Sequence, residues 1–199
     1  MKRYPVVLSI AGSDCSGGAG IQADIKTISA LGAYAASVIT AVTVQDTRGV
    51  KAVHTVPAGI VQGQIEAVMD DLCPDTLKIG MVSEPLLVKV IADCLRKYPH
   101  RPVVYDPVMV STSGRKLMTD DAIQSIKEEL IPQTTLITPN LDETEVLTGM
   151  KITTVEEMID AARTLSTMYH TAVLVKGGHL QGNEMQDVLF AGGNTYIYK

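Results

Sequence analysis

Asp106, Asn140, Glu143 and Lys176 are the residues whose types and settings could carry chemistry in this chain. Asp106 follows the apolar run Val103-Val104-Tyr105 and precedes Pro107, at the mouth of a buried strand. A carboxylate there either reaches a metal or substrate or accepts hydrogen bonds from the next loop. Asn140 and Glu143 stand three residues apart at a helix start. That pair could hold Mg²⁺ through waters, because Mg²⁺ dehydrates reluctantly and takes few direct protein ligands. The same spacing equally makes an N-cap and its N3 partner. Lys176 leads into Gly177-Gly178-His179, where a cation could meet phosphate oxygens and stabilise charge during transfer. A lysine at a strand end is also commonly just solvated, and His179 reads as a surface-loop histidine. Gln45 offers an amide that both donates and accepts, and Met81 a soft apolar wall; their plainer roles are turn residue and core residue. Taken jointly, these positions suggest phosphoryl transfer, in which positioning and charge neutralisation do most of the catalysis.

The elements that must position them alternate. Strands are predicted at Val6–Ala11, Ser37–Thr43, Thr76–Gly80, Pro102–Asp106, Thr135–Thr138 and Ala172–Lys176. Helices are predicted at Gly18–Leu31, Ala58–Asp71, Glu84–Tyr98, Asp120–Leu130, Leu141–Leu147 and Val155–Met168. Thr154 and Glu157 have capping-box spacing, and Ser83 is a candidate N-cap before Glu84-Pro85. Apolar strands alternating with amphipathic helices imply a parallel sheet covered on both faces. Ligands bind such sheets beyond the carboxyl ends of the strands. Gly12-Ser13-Asp14, Gln45-Asp46, Gly80-Met81, Asp106-Pro107, Pro139-Asn140 and Gly177-Gly178 would follow six successive strands there and outline one crevice. Asp187–Phe190 and Thr195–Tyr198 flank Ala191-Gly192-Gly193-Asn194 and read as a β-hairpin.

The first loop, Gly12 to Gly20, carries four glycines between a strand and a helix. Bare backbone N–H groups and a helix N-terminus meet there, a setting for a small polar or anionic ligand. It is neither the P-loop pattern nor the dinucleotide G-x-G-x-x-G fingerprint.

At 199 residues, with 46% hydrophobic and 20% charged residues, the sequence suits one globular domain over 1–199. The net charge of −5 argues against a nucleic-acid surface and gives no electrostatic case for membrane binding. No apolar run approaches a membrane span. Three scattered cysteines, Cys15, Cys73 and Cys94, fit reduced thiols, and the expected location is the cytoplasm. Cys15 lies within the glycine loop and reads as a small residue tolerated in a turn.

AGSDCSGGAGIQADIKT, TAVTVQDTRGV, KIGM, DPVM, LITPNLDE and VLVKGGH occur in this order. Together they resemble the hydroxymethylpyrimidine/phosphomethylpyrimidine kinases of thiamine biosynthesis, in the ribokinase-like superfamily. The resemblance runs from the first strand to about Phe190. It implies a three-layer α/β/α fold around a mostly parallel sheet, an ATP- and Mg²⁺-dependent enzyme, and a homodimer. The implied acceptor is 4-amino-5-hydroxymethyl-2-methylpyrimidine, phosphorylated first on its hydroxymethyl group and then on the resulting phosphate. By motif, Gly12, Ala19, Gln45, Met81 and Val108 would surround the pyrimidine. Asp106 and Glu143 would serve the metal, while Asn140, Lys176 and Gly178 would serve ATP and its phosphates, with Lys176 facing the transferred group. Pyridoxal-type kinases share the glycine loop and DPVM, and an apolar residue often stands at the Gln45 position in that branch; the glutamine favours the pyrimidine. The family continues past the hairpin into a G-T-G-C or G-T-G-D segment, whose N–H groups form an anion hole and whose last residue lies beside the reacting hydroxyl. This sequence has no such segment, so the expectation is a kinase lacking the usual C-terminal part, a fragment rather than a degenerate member. A non-catalytic pyrimidine-binding module is the alternative from another class.

Overall fold

The computed structural model describes residues 4–109, 118–178 and 185–199; His179 lies outside them. Among the described residues nine strands form one sheet. They are β1 (Val6–Asp14), β2 (Tyr34–Asp46), β3 (Gly49–Thr55), β4 (Thr76–Ile79), β5 (Val103–Tyr105), β6 (Leu136–Ile137), β7 (Ala172–Val175), β8 (Asp187–Ala191) and β9 (Asn194–Tyr198). Their order across the sheet is β3-β2-β1-β4-β5-β6-β7-β8-β9. The six strands from β2 to β7 are parallel, while β3, β8 and β9 run antiparallel to their neighbours. The helices are α1 (Gly20–Ala30), α2 (Ala58–Asp71), α3 (Pro85–Lys97), α4 (Asp120–Ser125), α5 (Leu141–Thr148) and α6 (Val155–Tyr169).

From β1 the chain steps one way to β2, then returns and steps the other way from β4 to β7. Right-handed crossovers therefore place α1 on one face and α2 to α6 on the other. The packing agrees: α1 lies on β1 and β2, α2 packs on α3, α3 on α4, and α5 on α6. The reversal at β1 opens a crevice beyond the carboxyl ends of β1 and β4, the position where open α/β sheets bind ligands.

The core lies between the sheet and the α2–α6 layer, with Leu8, Ile10, Ile79, Tyr105, Ile137 and Val175 shielded from solvent. Coverage is unequal, against the expectation of burial on both faces. Lys78, Val104, Leu136 and Leu174 point to the α1 side and are half-buried, whereas Leu77, Val103, Ile137 and Val173 are buried. Among the described residues α1 packs mainly on β1 and β2 and touches β4 through the Lys78–Asp24 ion pair, so the strands beyond are less covered on that side.

Several boundaries move. Gly12-Ser13-Asp14 continue β1, with a register shift between Ala11 and Ser13. Gln45 and Asp46 end β2 instead of following it, because β3 pairs with them antiparallel. Ser83 is not a cap: Glu84 holds the N-cap position with no side-chain bond, and Pro85 starts α3. The helix expected over Asp120–Leu130 is α only to Ser125, then widens into a π turn at Ile126–Leu130 and tightens to a 3₁₀ turn at Ile131–Gln133. Leu31 ends α1 exposed, and at the end of α6 Tyr169 is buried while Met168 is exposed. The Thr154–Glu157 capping box forms as expected.

Candidate active site

The glycine loop is built around Asp14. Its carboxylate accepts hydrogen bonds from the backbone N–H groups of Ser16 at 2.8 Å, Gly18 at 3.0 Å and Ala19 at 2.8 Å, and from Ser16 Oγ. The N–H groups expected to be bare for an anion are thus already taken, and the loop forms a fixed wall. Burial pushes the Asp14 pKa up, but the bonds from Ser16, Ala19 and Gly18 outweigh it and hold the carboxyl below its ordinary 3.8. Gly20, at φ 54°, is required because a Cβ there would overlap the Gly12 carbonyl. The side chain of Gln22 ties α1 to the loop, accepting from Asp14 N at 2.9 Å and donating to Ser13 Oγ at 2.8 Å.

Across from the loop, β2 holds both other walls. Thr40 Oγ1 donates to the Met81 carbonyl at 2.8 Å, and Thr43 Oγ1 donates to the Ser13 carbonyl at 2.9 Å. The Gln45 backbone carbonyl accepts from Cys15 Sγ at 3.1 Å. Met81 packs so closely that its Cε would meet a Cβ on Gly12. These contacts place Gly12, Ala19, Gln45 and Met81 along one part of a crevice of about 690 Å³, which Val108 also lines.

The other end carries charge. Lys176 Nζ donates to Asp106 Oδ1 at 2.7 Å, and Thr138 Oγ1 donates to the same oxygen at 3.1 Å. Asn140 and Lys176 are bridged through the backbone, where Lys176 N donates to the Pro139 carbonyl at 2.9 Å. Asn140 and Glu143 make a complete capping box on α5. Glu143 is 2% exposed; one carboxylate oxygen accepts from Asn140 N at 2.8 Å and the other from Met109 N at 3.3 Å. Burial pushes its pKa up, with Asp106 adding repulsion, against the pull of the two backbone N–H groups and Lys176. The sequence left capping and ligation as alternatives for this pair; the capping contacts are formed, and the carboxylate still lines the crevice.

The structure therefore brings nine of the ten expected site residues to one cavity: Gly12, Ala19, Gln45, Met81, Asp106, Val108, Asn140, Glu143 and Lys176. Gly178 is exposed and outside the lining. Sequence reasoning missed Asp14 as loop anchor and Thr40, Thr43 and Thr138 as bracing hydroxyls. The available signal was threonines within or just after strands otherwise rich in apolar residues.

Among the described residues no group of three or more His, Cys, Asp and Glu could hold a metal ion by itself. Asp106 and Glu143 supply two carboxylates on one wall, which suits an ion that keeps waters and takes its remaining ligands from phosphates.

A reversal-point crevice with an amide and thioether at one end and a Lys–Asp–Glu cluster at the other defines a phosphotransferase of the ribokinase-like type. The profile of the phosphomethylpyrimidine kinase family matches residues 14–199. The chain belongs to that family. It is 53% identical over 188 residues to the hydroxymethylpyrimidine/phosphomethylpyrimidine kinase of Rhizobium meliloti (strain 1021), covering 94% of this chain and 70% of that protein. The crystal structure of phosphomethylpyrimidine kinase from Clostridium difficile 630 superposes with a TM-score of 0.92 at 46% identity, over 98% of this chain and 84% of that one. An ADP complex of Bacillus subtilis pyridoxal kinase superposes with a TM-score of 0.89 at 31% identity, over 98% of this chain and 74% of that one.

Proposed function

We propose that this chain transfers the γ-phosphoryl group of ATP to the hydroxymethyl oxygen of 4-amino-5-hydroxymethyl-2-methylpyrimidine, and then to the phosphate so formed, in thiamine biosynthesis. One observation carries the assignment: Gln45 and the Asp106–Lys176 pair line the same crevice. The pyrimidine lies against the wall formed by Gly12 and Met81, flanked by Ala19 and Val108, with its polar edge on the Gln45 amide. The acceptor oxygen attacks phosphorus as the bond to the β–γ bridging oxygen breaks; ADP leaves and the acceptor's hydroxyl proton passes to solvent. Lys176 faces the transferred group and neutralises charge on its equatorial oxygens. Asp106, Asn140 and Glu143 organise the phosphates, with Gly178 at the mouth. Asp106 and Glu143 are the residues that would hold Mg²⁺ through its waters, and the ion would supply neutralisation of phosphate charge.

The chain is read as one kinase domain. Val42 and Val44 expose an apolar face on the β2–β3 ribbon, paired across to His54 and Ala52, and a second copy covers it in a homodimer. No helix of the described residues is long and apolar enough to cross a membrane. Cys15, Cys73 and Cys94 are free thiols, which suits a reducing cytoplasm.

A coupled ADP-release assay with each acceptor tests the reading. Turnover with the pyrimidine well above that with pyridoxal is expected. Turnover of pyridoxal with the pyrimidine ignored would move the chain to the pyridoxal kinase activity.

A further inference from the structure

Thr43 is buried on β2, 6% exposed, and two residues before Gln45. Its Oγ1 lies 2.9 Å from the Ser13 carbonyl and 3.3 Å from Gln45 Oε1. A threonine hydroxyl has one proton and two lone pairs. The Ser13 carbonyl can only accept, and its contact is the shorter, so the proton goes there. Two oxygens facing each other at 3.3 Å without a proton between them repel. A half-turn of the Gln45 amide exchanges Oε1 and Nε2 with no change of shape, and turns that contact into an Nε2–H donated to the hydroxyl lone pair.

We propose that Thr43 is a specificity-positioning residue that locks the Gln45 amide with Nε2 toward Thr43 and Oε1 toward the far side of the crevice. This inference rests on the reading that Gln45 meets the pyrimidine edge. Nε2 carries two protons; Thr43 takes one, and the other shares an edge with Oε1. That edge donates at the end beside Thr43 and accepts at the other. It matches a ring nitrogen next to an exocyclic amine, which is the N3/4-amino edge of an aminopyrimidine. It mismatches the 4-oxo analogue, 5-hydroxymethyl-2-methylpyrimidin-4-one, which presents N3–H and a carbonyl. The Ser13 carbonyl belongs to the same strand extension that begins the glycine loop, so the loop sets the hydroxyl and the hydroxyl sets the amide.

The experiment is calorimetric binding of the two acceptors, amino and 4-oxo, to the full chain and to Thr43→Val, Thr43→Ser and Gln45→Leu. The unmodified chain is expected to prefer the amino form about 10- to 100-fold, the discrimination of a bidentate amide pair. Thr43→Val frees the amide to turn, and the preference falls to within about 3-fold, a loss of most of that discrimination. Thr43→Ser keeps the hydroxyl and the preference. If Gln45→Leu erases the preference while Thr43→Val retains it, the lock is wrong and the Gln45 reading stands. If neither substitution changes the preference, the Gln45 reading falls and the lock with it. A neutron structure of the unsubstituted protein gives a test independent of variant folding: deuterons on the amide end nearest Thr43 support the lock, and none there overturns it.

Discussion

Lys176 and Thr138 converge on a single oxygen of Asp106, at 2.7 Å and 3.1 Å. Oδ2 has no hydrogen-bond donor among the described residues, so the carboxylate is pinned at one oxygen and presents the other to the crevice. A carboxylate held in this way spends little entropy when it engages an incoming cation or phosphate-bound water.

Removing the Thr138 hydroxyl leaves Asp106 held by Lys176 alone. Thr138→Val is therefore expected to raise the Mg²⁺ concentration for half-maximal nucleotide binding about 10-fold, within the range for groups that orient a ligand from behind. Thr138→Ser keeps the donor and stays near the unsubstituted value. A Mg²⁺ titration of nucleotide binding followed by fluorescence checks both, and equal values for Val and Ser would remove the role.

Asp14 makes the glycine loop sensitive to acid. Its carboxyl is held below 3.8 in the folded state, so the folded chain binds that proton less readily than the unfolded chain. The stabilisation is complete above the unfolded value and is lost as pH falls through the folded one. Asp14→Asn is expected to lower stability near neutrality by about 1.5–3 kcal/mol, the range for a hydrogen bond to a charged group. Its disadvantage should shrink on going below pH 3.8. Urea melts across that range, compared between the two proteins, read the convergence directly.

How far these features could be read from sequence varied with the local signal. α2 matches its expected span, Ala58–Asp71, because apolar residues recur there at helical spacing. The α5 capping box was readable because Asn-x-x-Glu before an apolar run has a mechanism attached. β3 was not readable: residues 51–54 are exposed, so no alternation marks a buried face. Missing β3 also misplaced Gln45, which sits inside a paired strand and not in a turn. Asp14 was visible as a residue, but its use of the loop's N–H groups depends on backbone turns that only the folded loop defines.

The outward β2–β3 face carries the dimer prediction. Val42 is 48% and Val44 57% exposed, on adjacent outward positions of one strand. Val44→Glu would put a charge into an apolar contact between copies, where leaving it unpaired is costly. The substituted chain is expected to run as a monomer in light scattering at concentrations where the unsubstituted chain is a dimer. Its thermal midpoint, extrapolated to low protein concentration, should match that of the unsubstituted chain. A variant that remains dimeric would move the interface off this ribbon.

Lys176 separates binding from chemistry. Its ammonium pairs with Asp106 in the crevice, and no contact joins it to the Gly12–Met81 wall among the described residues. If it acts on the charge that grows during transfer, Lys176→Met should lower kcat about 10²- to 10³-fold, the effect of deleting one donor to a developing anion. The pyrimidine KM should stay within a few-fold, because uniform binding is untouched. Steady-state kinetics on the catalytically active protein, varying pyrimidine at saturating ATP, distinguish this from a structural role. A mainly structural lysine would instead shift KM and kcat together and lower the melting temperature, because Asp106 would lose its partner in the folded state as well as in the complex.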